Sequence, residues 1–147
     1  MPGDARNFLS VADQARILEA IREAEAQTSG EVRVHLELRA RVDVLERAAA
    51  LFRQLGMHRT RERNGVLFYL AIEDRKFAIL GDEGIHAAVP EGFWDTISLE
   101  MGQAFREGRF ADGLCQGILK AGSQLRRHFP HRKDDQDELN NEISFVE

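Results

Sequence analysis

The chain has 147 residues, 43% of them hydrophobic and 31% charged, with a formal net charge of -5. That length suits one compact domain and is short for two. No apolar stretch approaches the roughly 20 residues needed to cross a bilayer, and Met1-Pro2-Gly3-Asp4-Ala5-Arg6-Asn7 lacks the cationic-then-apolar order of a signal peptide, so no membrane association and a cytoplasmic location are expected. The single cysteine, Cys115, excludes an internal disulfide and suits a reducing compartment. The acidic balance argues against nucleic acid as a partner, because duplex binding depends on Lys and Arg neutralising phosphates.

The first helix is expected to open at Ser10, with Asp13 completing a capping-box pattern, and Ile17, Leu18, Ile21 and Ala24 recur at helical spacing until Thr28-Ser29-Gly30. Glu31 to Leu38 alternates strictly, with Val32, Val34, Leu36 and Leu38 on one face and Glu31, Arg33, His35 and Glu37 on the other, which predicts a strand with one wet face. Asp43 then caps a second helix whose apolar stripe ends at Gly56, and Gly56 to Arg63 reads as a polar loop. Val66 to Ile72 is a continuous apolar run rich in β-formers, the pattern of a strand covered on both faces. Strand, helix, buried strand is a βαβ unit with a parallel crossover.

Glu73-Asp74-Arg75 is too short for another crossover, so Lys76 to Leu80 should return antiparallel, with Gly81-Asp82-Glu83-Gly84 as the turn that ends it. Two helices follow Pro90, broken at Gly108. The first carries Phe93, Trp94, Ile97, Met101 and Phe105, and the second runs from about Phe110 to Arg127, with Gly113 and Gly117 as a close-packing notch. The division expected is a domain over 1–130 and a charged tail over 131–147, extended and partly docked through Leu139, Ile143 and Phe145.

With these pieces in order, the chain resembles the TPM domain family. The carriers are Thr28-Ser29-Gly30-Glu31 leading into a strand, the helix from Asp43 to Gly56, Asn64-Gly65-Val66-Leu67 leading into the buried strand, Asp74-Arg75 at the hairpin, Gly81-Asp82-Glu83-Gly84-Ile85, and Phe105-Arg106-Glu107-Gly108-Arg109-Phe110 with Gly113-Leu114. The resemblance implies an α/β fold, a three-layer α/β/α sandwich around a small mixed β-sheet. It also implies divalent cations, often Ca²⁺, held by acidic loop residues in some members, and acid-phosphatase activity in some. Many relatives read Gly-Tyr-Gly-Leu-Glu where this chain has Gly81-Asp82-Glu83-Gly84-Ile85, so an aromatic has become acidic. Many also carry a signal peptide and membrane anchor, against which this chain reads as a stand-alone form.

Ligands of open sheets gather outside the carboxyl ends of parallel strands, which there places Arg39, Arg41 and Asp43 beside Glu73, Asp74 and Arg75. Ca²⁺ or Mg²⁺ needs several oxygens, so Asp43, Glu73 and Asp74 are the first candidate cation ligands, the competing reading being a helix cap and a solvated hairpin. Glu31, Asp82 and Glu83, at the opposite end of the sheet, are the second set, against a Gly-bounded turn. If the chain were a metal-assisted phosphatase for small phosphate esters, Asp74 and Asp43 would hold the ion and Arg75 would clamp phosphate oxygens. A third reading makes Asp134 to Glu138 a docking segment for a basic protein partner. No nucleophile motif accompanies Cys115, which reads as core.

Overall fold

The structure, a computed structural model, describes residues 5–130 and 143–146. Its sheet is built on β2, Gly65–Ala71, every residue of which is buried. On one side β2 pairs in parallel with β1, Glu31–Glu37, in a register that sets His35 beside Tyr69 and Glu37 beside Ala71. On its other side it pairs antiparallel with β3, Lys76–Gly81. A fourth strand, β4, Ile143–Val146, lies parallel to β1 from Val34 to Glu37, so the order is β3-β2-β1-β4 and the sheet is mixed.

Helices cover both faces, giving the α/β/α sandwich. Val32, Val34 and Leu36 of β1 and Val66, Phe68 and Leu70 of β2 face α1, Val11–Glu25, α4, Phe93–Arg106, and α5, Phe110–His128. The opposite face, with Leu67, Tyr69, Ala71 and Ala78, lies under Ala48, Leu51 and Phe52 of α2, Val44–Gln54. The helix starts follow local chemistry. Ser10 Oγ accepts the Asp13 N–H at 3.0 Å, and Asp43 Oδ2 accepts the Leu45 N–H at 3.0 Å, each satisfying a donor with no partner inside the helix. Thr28 Oγ1 donates to the Leu125 carbonyl at 3.0 Å and accepts the Gly30 N–H at 3.0 Å, so the entry to β1 is tied to the end of α5.

Four features differ from the sequence pattern. The face of β1 expected to be wet is sealed: Glu31, His35 and Glu37 are 2%, 2% and 3% exposed, with Glu37 held by Arg47 of α2 and His35 by Tyr69 of β2 and Ser144 of β4. The polar loop after Gly56 contains a 3₁₀ turn, Met57–Arg59, whose Met57 is fully buried in the α2-side core. The turn at Gly81-Asp82-Glu83-Gly84 continues into a short helix, α3, Glu83–Ala88, with Asp82 as its cap. Finally, Ile143 to Val146, expected only as an extended segment docked through Ile143 and Phe145, pair as a strand, and those two side chains pack on the α1/α5-side core. The rest of the tail, including Asp134 to Glu138 and Leu139, lies outside the described residues.

Helices α1 and α5 approach closely at Gly122. A Cβ added at Gly122 would sit 2.6 Å from Ala24 Cβ and 2.7 Å from its Cα, so backbone and not a movable side chain blocks it. Gly122→Ala is therefore expected to lower unfolding stability by about 1–2 kcal/mol, the overpacking cost exceeding the gain of up to ~1 kcal/mol in helix propensity. Urea denaturation of the two proteins checks this.

Candidate functional site

At the carboxyl ends of β1 and β2 two loops are stitched together. The Ile72 N–H donates to the Glu37 carbonyl at 2.9 Å and the Glu73 N–H to the Leu38 carbonyl at 2.8 Å, extending the ladder past the strands. Asp74 Oδ2 then accepts the Ala40 N–H at 2.9 Å, and Glu73 Oε1 accepts Arg39 Nε at 2.8 Å. Arg75 closes the hairpin with φ +55°, and it and Glu73 line a cavity. Asp43, Glu73 and Asp74 each engage one carboxylate oxygen, and their second oxygens have no partner among the described residues. The three do not form one cluster: among the described residues, no group of three or more His, Cys, Asp or Glu side chains is placed to hold a metal ion.

The amino ends of the strands are arranged differently. Asp82 is 7% exposed and meets the Arg63 guanidinium side-on, Nε to Oδ2 at 2.7 Å and Nη2 to Oδ1 at 2.9 Å, while Oδ1 also accepts the Glu83 N–H at 2.8 Å. Arg63 Nη1 reaches Glu83 Oε1 at 3.3 Å. Its backbone, at φ +53°, turns its carbonyl to accept the Gly84 N–H at 2.8 Å. A Cβ at Gly84 would stand 2.2 Å from the Glu62 carbonyl oxygen, so only glycine fits there. Glu31 is buried nearby at the start of β1, where its N–H donates to the Asn64 carbonyl at 3.4 Å. Asp82 thus serves as both an ion-pair partner and a helix cap.

Comparison with known proteins gives the family and the fold. Residues 3–124 match the TPM domain. The chain belongs to the TPM domain family. No curated protein matches it. Among solved structures it is similar to the BA42 protein from the psychrophilic bacterium Bizionia argentinensis, with 47% identity, a TM-score of 0.87, and 95% of this chain and 97% of that one covered. It is similar also to the N-terminal domain of a P. gingivalis protein, at 25% identity and TM-score 0.67 over 86% of this chain and 83% of that one. The N-terminal domain of the cg2496 protein from Corynebacterium glutamicum shares the fold, at 18% identity and TM-score 0.64 over 95% and 81%.

This TPM domain also carries a buried polar network that the alternation in β1 did not suggest. Under α2, Glu37 Oε2 accepts Arg47 Nε at 2.7 Å and the Tyr69 hydroxyl in a short bond, while Oε1 accepts Arg47 Nη2 at 2.9 Å. His35 stacks on Tyr69, with ring centroids 6.0 Å apart, and its Nδ1 bonds Ser144 Oγ of β4 at 2.7 Å. Burial opposes ionisation of Glu37, but the hydrogen bonds from Arg47 and Tyr69 and the Arg47 charge outweigh it and hold the carboxyl below its ordinary value. Burial also pushes the Tyr69 hydroxyl up, with the Glu37 carboxylate adding to the rise. The same burial pushes the His35 imidazole below its ordinary value, against the pull of Glu37. A signal did exist: the apolar stripe of α2 needs a face of the sheet to cover, and a helix there brings Arg47 within reach of an acid on the neighbouring strand.

Two outcomes follow from the network. Tyr69→Phe removes a hydrogen bond to a buried charge and should cost about 1.5–3 kcal/mol in urea unfolding. Because folded His35 resists a proton that the unfolded chain accepts, its contribution is present above about pH 6.5 and is lost as the pH falls below that value. His35→Gln should flatten the stability profile in that window. The Glu37 contribution, present above about pH 4.3, would remain and fade as acid protonates the folded carboxyl.

Proposed function

We propose that the chain is a divalent-cation-binding TPM module, taking up Ca²⁺ or Mg²⁺ at the loops joined by Asp74 and acting by regulation or interaction. The observation that carries this reading is the contrast between the sheet ends. Both oxygens of Asp82 are engaged by a guanidinium, so a cation there would have to displace Arg63. At the other end Asp43, Glu73 and Asp74 each have one oxygen without a partner among the described residues. Since no three carboxylates converge, the ion would take at most two of them, and backbone carbonyls and water would complete its six to eight oxygens. So few charged ligands fit a weak site, about 10⁻⁴–10⁻³ M.

A metal-assisted phosphatase acting on small phosphate esters is the second reading. It is favoured by Arg75, which faces the cavity beside Glu73 and forms no ion pair among the described residues. Asp74 and Asp43 would hold the ion and Arg75 the phosphate oxygens. Cys115 does not offer a nucleophile instead, because burial pushes its thiol up. The docking reading rests on Asp134 to Glu138, outside the described residues. Among the described residues, no helix is long and apolar enough to cross a membrane. A cytoplasmic role belongs to the same proposal.

Titrating chelator-treated protein with Ca²⁺ and Mg²⁺ while following backbone amides tests the first reading. Saturable shifts are expected at Asp43 and at Glu73 to Arg75. Asp74→Asn should weaken binding by about tenfold or more, and Asp82→Asn should leave it unchanged. Shifts confined to Glu31 and Asp82 to Gly84, or none at millimolar metal, would overturn it. For the phosphatase reading, divalent-dependent release of phosphate from 4-nitrophenyl phosphate should vanish in Asp74→Asn. Unchanged turnover would remove Asp74 from that chemistry.

A further inference from the structure

We infer that the cavity between the β2–β3 hairpin and the turn joining α4 to α5 binds a small amphipathic organic anion: a carboxylate or phosphate monoester on an aromatic body. The inference does not depend on the cation reading, and it shares Arg75 and this cavity with the phosphatase reading without requiring a metal or turnover. The cavity encloses about 740 Å³, within the range of small-molecule sites, roughly 300–1,000 Å³. One wall is aromatic. Phe8, Phe110, Phe105 and Phe77 line it in a continuous chain of ring contacts at 4.8, 5.2 and 5.1 Å between centroids. All four rings are only half-buried, which leaves apolar surface uncovered where a flat ligand could lie.

The mouth carries the opposite chemistry. Arg75, Lys76 and Arg106 border it, and neither Arg75 nor Lys76 has an ion-pair partner among the described residues. The one bordering carboxylate among the described residues, Glu73, is already bonded to Arg39. A positive mouth on a chain with net charge -5 favours an anionic head over a neutral or cationic one.

Gly102 points the same way. It sits inside α4, where glycine costs up to ~1 kcal/mol relative to alanine. Gly113, Gly117 and Gly122 have a close-packing reason, since an added Cβ would meet another atom at 3.0, 2.8 and 2.6 Å. At Gly102 a Cβ would find only Arg106 Nη1 at 3.6 Å and Phe77 at 3.9 Å, which is ordinary contact. A larger side chain there would enter the cavity, and glycine keeps it open.

The test uses 2-naphthoate, 2-naphthyl phosphate and the neutral 2-naphthylmethanol as probes, with calorimetry and backbone amide shifts. At least one anion should bind saturably, shifting Phe77, Gly102 and Arg106, and the alcohol should bind about tenfold or more weaker. The double variant Arg75→Gln/Lys76→Gln should bring the anion down to the level of the alcohol. Gly102→Leu should abolish binding. Gly102→Ala, which has room for its Cβ, should stay folded and keep binding. No saturable shift with either anion, equal binding of the alcohol, or unchanged binding in Gly102→Leu would overturn the inference. Asp74→Asn should bind 2-naphthoate like the unaltered chain, so the cation titration can fail without it. Loss of the anion in Asp74→Asn would put it on the cation loops and contradict an independent cavity.

Discussion

A carboxylate buried between a sheet and a helix must be matched or it will not stay ionised, and Glu37 meets that demand with a side-on guanidinium and a phenol. The consequences run through the fold. Arg47 reaches Glu37 from α2 as that helix lies over β2 and β3, with Leu51 and Phe52 against Leu67, Tyr69 and Ala71. The N-terminus of α2, and with it Asp43, is thereby placed near the carboxyl end of the strand. Glu37 is also the last residue of β1, and its carbonyl accepts the Ile72 N–H with which the β2–β3 hairpin begins. The candidate cation loops hang from this junction.

The two ends of the sheet engage their acids differently. At the amino end, Arg63, Asp82 and Gly84 form a closed knot in which side-chain ion pairing, a helix cap and a carbonyl contact reinforce one another. Such an arrangement stabilises the entry to β2 and the start of α3, and it leaves little for a ligand. At the carboxyl end the same residue types make single contacts at the surface, and the cationic side chains of the hairpin face an aromatic cavity. Acidic residues alone therefore do not mark a site; what matters is which of their oxygens the fold has already used.

Much of this was readable from the chain. Ser10 and Asp43 as caps, the all-apolar β2, the short antiparallel return through Arg75 and the break at Gly108 each rest on one local rule, and local rules suffice where the partner is a few residues away. What escaped is non-local. His35 and Glu37 alternate with apolar residues as exposed side chains do, and only Arg47 and Tyr69, from other elements, make their burial tolerable. Ile143-Ser144-Phe145-Val146 is too short to declare itself a strand, and its pairing with Val34 to Glu37 spans more than 100 residues. Gly84 reads as a turn residue, yet it is glycine because α3 starts against the carbonyls of Glu62 and Arg63. For the candidate sites, the residues at each sheet end were legible by type and position. That Asp82 is committed to Arg63 and Asp74 to the Ala40 N–H was not, since neither pairing follows from spacing.

The claim that the carboxyl end of the sheet is the cation end can be tested by position. Terbium(III) stands in for Ca²⁺ through its similar oxygen chemistry, and pseudocontact shifts measured across the amides would locate the bound ion in the frame of the fold. The account predicts a single position against Asp74, with Asp43 or Glu73 as its neighbour. An ion located beside Asp82 and Glu31 would contradict it.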